Sequence, residues 1–435
     1  MPRDPRREKT LLIVSQVFVP DPASVGQHVA DVAVEMARRG HPVHVLTSAR
    51  GYENPQQKYP PRETMQGVEI RRIPLASFGK RSIPLRVLGT AAFMTQILFR
   101  ALFTQNLGGI FFSTSPPLVG LVGTIVAMIR RVPCAYWAMD LNPDQLIALG
   151  KIGERSFVAW LLESVNRWIL RRSDLIIALD RFMAERLERR DPELRAKMLV
   201  LPPWPHEEHI SQTEETSTAT NGDVNPFRER HRLGGAFVVM YSGNHSPSNP
   251  LDTLLEAAKE LRNAPDFRFL FVGGGSGKKD VEAFIREHDL PLVMSLPYQP
   301  LSELKHSLGA ADVHVVSLGQ EMVGIIHPCK IYGAMAAARP VLFLGPKPSH
   351  ISDLMETHRL GWHVSHGDVS GAVAALREMS EMGRDELVAM GHRARAALQR
   401  DMGQQRLCRA MCDRVEGTIF SSERGAQASC APGAG

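Results

Sequence analysis

The run from Gly319 to Gly345, GQEMVGIIHPCKIYGAMAAARPVLFLG, leaves this part of the chain few folds to choose from. Its pattern predicts a helix from Pro328 to Ala338, and Pro340, which cannot continue a helix, hands the chain to the apolar strand Val341, Leu342, Phe343 and Leu344. Loop, helix and buried strand in unbroken succession are half of a βαβ unit and commit the segment to a parallel sheet. Gly333, Ala334, Ala336, Ala337 and Ala338 make the helix thin, so its backbone can lie close to a sheet or a ligand. Lys330 falls in its first turn with His327 just ahead, and a lysine beside a helix N-terminus suits an anion. The same residues also describe a tightly packed helix with one solvated lysine.

A chain of 435 residues is long for one core and comfortable for two domains. The strand TLLIVSQVFV, a loop, the helix carrying Val29, Val32, Ala33 and Met36, and the strand of Val43, Val45 and Leu46 form a βαβ opening. Gly26 is expected in the loop where strand passes to helix, and His28 in the first helical turn as a partly exposed residue. The strand CAYWAMD ends at Asp140, followed by LNPD; a carboxylate there lies at the ligand edge of a parallel sheet, although Asp140 and Asp144 would also serve as cap and turn. A helix over 156–171 is expected to bury Phe157, Trp160, Leu161, Val165, Trp168 and Ile169.

The stretch 206–226 is polar and reads as a linker. Beyond it the architecture repeats: AFVVMYSG, DTLLEAAKEL, FRFLFVGGG and DVEAFIREHDL precede the central unit. Gly243 and Asn244 end one strand, and Gly273, Gly274 and Gly275 end another, as turns that let a nucleotide approach the backbone. GGGSGKK is not a Walker loop, because Val272 and Lys279 stand where that motif needs glycine and Ser or Thr; HEEH at 206–209 lacks the zincin spacing. No metal site is expected.

PCKIYGAMAAARPVL, with YSGN, FVGGG and ADVHVVSL ahead of it in order, resembles the donor-binding half of retaining glycosyltransferases, in particular the WbuB-like branch of glycosyltransferase family 4. That branch's Pro, Lys-x-Tyr pattern is met by Pro328, Lys330 and Tyr332. The wider family's glutamate pair is missing: its positions fall on Gly333 and near Gly324 or Ile325. The resemblance covers Leu11 to about Phe420 and implies an α/β chain of GT-B type, with two facing Rossmann-like domains and a cleft between them. It implies an acceptor-side domain over 1–205, the linker 206–226, a nucleotide-sugar domain over 227–395, a helix over 396–420 crossing back to the first domain, and a disordered tail over 421–435. Retaining transfer of a sugar, of N-acetylated hexosamine type, from a UDP-sugar or other nucleoside-diphosphate sugar is implied, with no cofactor. The implied acceptor is a polysaccharide precursor on a polyprenyl diphosphate. Catalytic positions would be Asp140 and Lys330. Gly243, Asn244, Gly273, Gly274, Gly275, His327, Lys330 and Tyr332 would hold the donor, and Gly26, His28 and Asp144 would stand on the acceptor side. A nucleotide-sugar 2-epimerase and a non-catalytic binding protein share this fold and remain alternatives.

Charge sharpens the partner question. The net charge of +5 is mild and gives no basis for a nucleic-acid partner, yet between Glu69 and Asp140 there is no acid while Arg71, Arg72, Lys80, Arg81, Arg86, Arg100, Arg130 and Arg131 are basic. Two apolar stretches, Val87 to Phe99 and Leu118 to Ile129, lie in that segment; the first is thirteen residues, too short to span a bilayer. They read either as buried helices or as a face for an anionic membrane. Five scattered cysteines without a Cys-x-x-Cys pair, and an opening apolar run of only Leu11 to Val14, predict a cytoplasmic protein, which the second reading of the basic segment would make peripheral at the inner face of the plasma membrane.

Overall fold

The computed structural model describes residues 9–21, 23–51, 56–74, 83–205 and 225–421, without the side chains of 83–88. Lys80, Arg81, the Arg86 side chain, nearly all of the expected linker and the tail after 421 therefore lie outside the described residues. The chain divides into two compact units, Met1–Pro202 with Gln405–Gly435, and Pro203–Gln404.

In the first unit, β1 (Thr10–Val14), α1 (Ser24–Arg38), β2 (Val43–Ser48), β3 (Arg62–Met65), β4 (Val68–Ile73), α2 (Ile83–Leu102), β5 (Leu107–Ser113), α3 (Val119–Arg130) and β6 (Cys134–Ala138) follow in order. The short α4 (Asp144–Ala148), α5 (Phe157–Arg172), β7 (Leu175–Ala178), α6 (Arg181–Arg190) and β8 (Met198–Val200) complete the run. The sheet order is β3-β4-β2-β1-β5-β6-β7-β8, parallel except for the β3–β4 hairpin. Ile13 pairs with Val45 on one side and Phe111 on the other, so β1 is the central strand. Such strands are covered on both faces and read as continuous apolar runs, as LLIV and GIFF do. Gly123 admits the ring of Phe112: a Cβ there would sit 2.6 Å from its Cδ1.

The apolar stretches of α2 and α3 turn Phe93, Ile97, Val122 and Val126 into the core. Phe99, Phe103, Met128 and Ile129, toward their C-terminal ends, stay exposed. Several arginines of the acid-free segment are internally engaged. Arg71 pairs with Glu69, Arg72 with Glu63 at 2.6 Å, and Arg130 donates to the Thr104 carbonyl at 2.9 Å.

Helix α5 departs from expectation more sharply. It buries Ile169 but leaves Phe157, Trp160 and Leu161 71, 60 and 45% exposed. The helix is apolar along two stripes, and Ala159, Ile169 and Leu170 form the one that faces inward. Periodicity alone does not say which stripe a sheet will take.

The second unit holds α7 (Pro226–Arg230), β9 (Phe237–Ser242), α8 (Asp252–Glu260), β10 (Phe267–Val272), α9 (Lys278–Glu287), β11 (Val293–Leu296), α10 (Leu304–Gly309), β12 (Val313–Ser317) and α11 (Lys330–Ala336). Then come β13 (Val341–Leu344), α12 (His350–His358), β14 (Gly361–Val364), α13 (Val369–Glu381) and α14 (Arg384–Met402). Its all-parallel sheet runs β11-β10-β9-β12-β13-β14. Strand order reverses between β9 and β12, the switch point at which such sheets open a crevice for ligands. Helix α11 is held from behind: Arg395 donates to the Ala336 carbonyl at 2.9 Å, a cation at a helix C-terminus.

The chain re-enters the first unit at residue 405, within α15 (Gln404–Phe420). There Arg39 meets Asp413 at 2.7 Å and Glu416 at 2.9 Å, and the rings of Phe420 and His41 stack at 4.1 Å.

Candidate functional site

In the second unit the switch point is built from two glycine turns pressed together. The amide of Gly243 donates to the Val272 carbonyl at 2.9 Å, and that of His245 to the Gly274 carbonyl at 2.6 Å. A Cβ on Gly273 would stand 2.0 Å from the Gly243 oxygen, and one on Gly275 would stand 2.1 Å from Asn244 Oδ1. Both glycines also have φ near +130°, at 133° and 122°, so no other residue fits either place.

Lys278 closes the turn from below by donating to the carbonyls of Gly273, at 2.8 Å, and Leu296. Its charge is used on backbone oxygens, and burial lowers its pKa. Lys279 remains exposed.

Across these turns lies Lys330. Its stem crosses Gly243 so closely that a Cβ there would be 2.6 Å from Lys330 Cε, and its ammonium sits 5.1 Å from the centroid of the Tyr241 ring. Desolvation pushes its pKa down to about 8. An ammonium partly desolvated beside a glycine turn at a switch point is a setting that suits an anion. Tyr241 is held in place by donating to the Asn244 carbonyl at 2.7 Å.

His327 and Tyr332 lie on the same segment and meet a third group. His327 Nε2 is 2.7 Å from the Tyr332 hydroxyl, which is 3.3 Å from His350 Nε2, and the two imidazole rings lie 4.3 Å apart. Sequence reasoning missed His350 and His245. His245 is buried, with Nδ1 3.3 Å from the Gly274 carbonyl and Nε2 lacking a partner among the described residues. Burial, reinforced by Lys278 and Lys330, lowers its pKa and keeps the ring neutral. Its place two residues beyond Gly243 was the available signal.

In the first unit, Asp140 follows the end of β6. Burial pushes its carboxyl up to about 6, and no hydrogen bond to it is found among the described residues. Asp144 differs. It is 4% exposed and bound by Arg190, at 2.9 Å through Nη1, and by Arg186 at 3.4 Å. These contacts fix α4 to α6 and take up the carboxylate that the sequence assigned to the acceptor side. Arg190→Ala is expected to cost about 2 kcal/mol of stability, below the ~3–5 of a fully buried broken pair because Arg186 remains. A urea midpoint measures it, and an unchanged midpoint would make the pair incidental.

Gly26 is in the first turn of α1, not the loop before it: a Cβ would lie 3.1 Å from the Phe18 backbone, so it serves close packing. His28 is 2% exposed rather than partly exposed. Its Nδ1 lies 2.7 Å from the Ser24 carbonyl, and its ring stands edge-on to Trp137 at 6.1 Å.

Comparison with known proteins finds a match for each unit. Residues 24–204 match the glycosyl transferase 4-like domain and residues 223–397 the glycosyl transferases group 1 domain. WbjE of Pseudomonas aeruginosa, named as a probable glycosyltransferase, is 23% identical over 73% of this chain and 77% of its own. WcaI of Escherichia coli K12, provisionally named a colanic acid biosynthesis glycosyl transferase, is 20% identical over 94% of this chain and 100% of its own. Among solved structures, HepE of Anabaena in complex with UDP and glucose superposes with a TM-score of 0.66 at 17% identity, covering 94% of this chain and 100% of that one. The two domain matches, on a GT-B fold of two parallel-sheet units, place the chain among the glycosyltransferases that join a 4-like domain to a group 1 domain.

Proposed function

We propose that the protein is a retaining glycosyltransferase of the WbuB-like branch of family 4, working in surface-polysaccharide biosynthesis. It moves a sugar of N-acetylated hexosamine type from a nucleoside-diphosphate sugar to a polyprenyl-diphosphate-linked precursor at the cytoplasmic face of the membrane. The observation that carries the reading is Lys330, whose ammonium is delivered over Gly243 and Tyr241 at the switch point of the second sheet. As the glycosidic bond breaks, charge grows on the diphosphate, and a partly desolvated cation already held in place stabilises it without reorganisation.

HepE's capture with UDP and the name of WcaI support the donor class and the pathway class respectively. The Pro328, Lys330, Tyr332 pattern supports the branch. On the first unit Asp140, with a pKa near 6, orients or deprotonates the acceptor hydroxyl at neutral pH.

Purified protein incubated with a panel of UDP-sugars should release UDP from one of them, faster when a polyprenyl-diphosphate acceptor is present, and give a product of retained anomeric configuration by NMR. Conversion of the donor sugar without nucleotide release would mark an epimerase. Neither turnover nor thermal stabilisation by any nucleotide would mark a non-catalytic protein.

A further inference from the structure

Among the described residues nothing covers the outward stripe of α5. Phe157, Val158, Trp160 and Leu161 are 71, 51, 60 and 45% exposed, and the rings of Phe157 and Trp160 pack at 5.6 Å. Single exposed apolar residues are ordinary; four within five positions of one helix are not. The helix cannot roll to hide them, because Ala159, Ile169 and Leu170 are committed to the inner face. Ser156 also caps its start, accepting from the Ala159 amide at 3.1 Å.

We propose that this N-terminal half of α5 is a docking face for an anionic membrane surface. Charge supports that occupant. Just ahead of the face Lys151 and Arg155, beside Glu154, are exposed with no ion pair among the described residues, whereas Arg167 and Arg171 farther along the helix are paired with Glu163 and Asp191. A second copy would pair the same patch with itself and bring like charges together, whereas lipid phosphates complement them. Tryptophan suits the boundary between headgroup and acyl chain, where one side of the ring is wet. Because β6 and β7 are parallel neighbours, α5 must start at the edge where β6 ends, which is also the edge that bears Asp140. A face there would hold a lipid-linked acceptor's head near that carboxylate. The proposal rests on the acceptor being lipid-linked; it does not involve α2 or α3, and no helix among the described residues is long and apolar enough to cross a membrane.

Flotation of the full chain with vesicles of phosphatidylcholine, with and without an equal share of phosphatidylglycerol, tests it. Recovery should require phosphatidylglycerol and fall about tenfold or more in Phe157→Ser with Trp160→Ser. It should fall also in Lys151→Glu with Arg155→Glu, whose thermal midpoint should match wild type. UDP release by the same variants, with water or a short soluble acceptor, should persist; its absence in the wild type would sink the enzymatic reading and leave the flotation result standing. Absence of wild-type flotation, equal recovery on neutral vesicles, or undiminished recovery of both variants would overturn the docking face. So would a wild-type dimer that these substitutions split without altering flotation.

Discussion

Lys330→Ala is expected to slow glycosyl transfer by about tenfold or more while the protein stays folded, the scale of losing one charge-stabilising group. No arginine or lysine occurs from Tyr241 to Pro250, and Lys278 is spent on the carbonyls of Gly273 and Leu296. Nothing else on the two turns offers a fixed cation. The pH profile makes the test specific. With its pKa lowered from 10.5 to about 8, Lys330 loses its charge as pH rises through the latter value, so affinity for UDP should weaken above it. Lys330→Arg should remove that alkaline limb. Stability should move oppositely: between about 8 and 10.5 the unfolded chain holds a proton that the folded chain has lost, so this group's contribution rises with pH across the window. Wild-type kinetics in the alanine variant, or an arginine variant that keeps the limb, would take Lys330 out of the diphosphate site.

Asp140→Asn should reduce transfer by about a hundredfold, the range of a lost general base, and leave UDP affinity unchanged. Wild-type transfer should fall as pH drops below about 6, where the carboxyl takes up its proton. The variant should also be the more heat-stable form at neutral pH. A carboxyl raised from 3.8 to about 6 makes the folded state lose stability as pH rises between those values, and the amide has no charge to bury. Unaltered transfer together with unaltered stability would reduce Asp140 to a turn residue.

The fold was legible because both sheets are parallel and buried: short apolar runs, each followed by a helix, leave little else to build. The placement of Lys330 was legible for a local reason, since it opens a helix of small residues. What escaped depends on which distant groups meet. Asp144 and Asp140 look alike in MDLNPD, and only the arrival of Arg186 and Arg190 from α6 separates a structural anchor from an unpaired carboxylate. Lys278 and Lys279 are adjacent and chemically identical, yet one reaches the carbonyls beneath the turn. The acid-free run from Ile70 to Met139 looked uniformly basic, but Arg72 finds its acid in Glu63, outside that run. In α5 two apolar stripes compete for the sheet, and composition does not choose between them.

The late return of the chain to its first unit has a consequence for synthesis. Gly108 and Gly109 leave shallow grooves on β5 into which Phe420 and Ile419 fit; a Cβ on Gly109 would stand 2.4 Å from Ile419. A ribosome reaches those two residues only after the whole intervening unit, Pro203–Gln404, has been made. At about 5–20 residues per second, that delay is roughly 10–40 s. During it the first sheet has every strand it will ever have and still lacks part of its cover. The nascent chain must shelter that apolar seam by other means until α15 arrives.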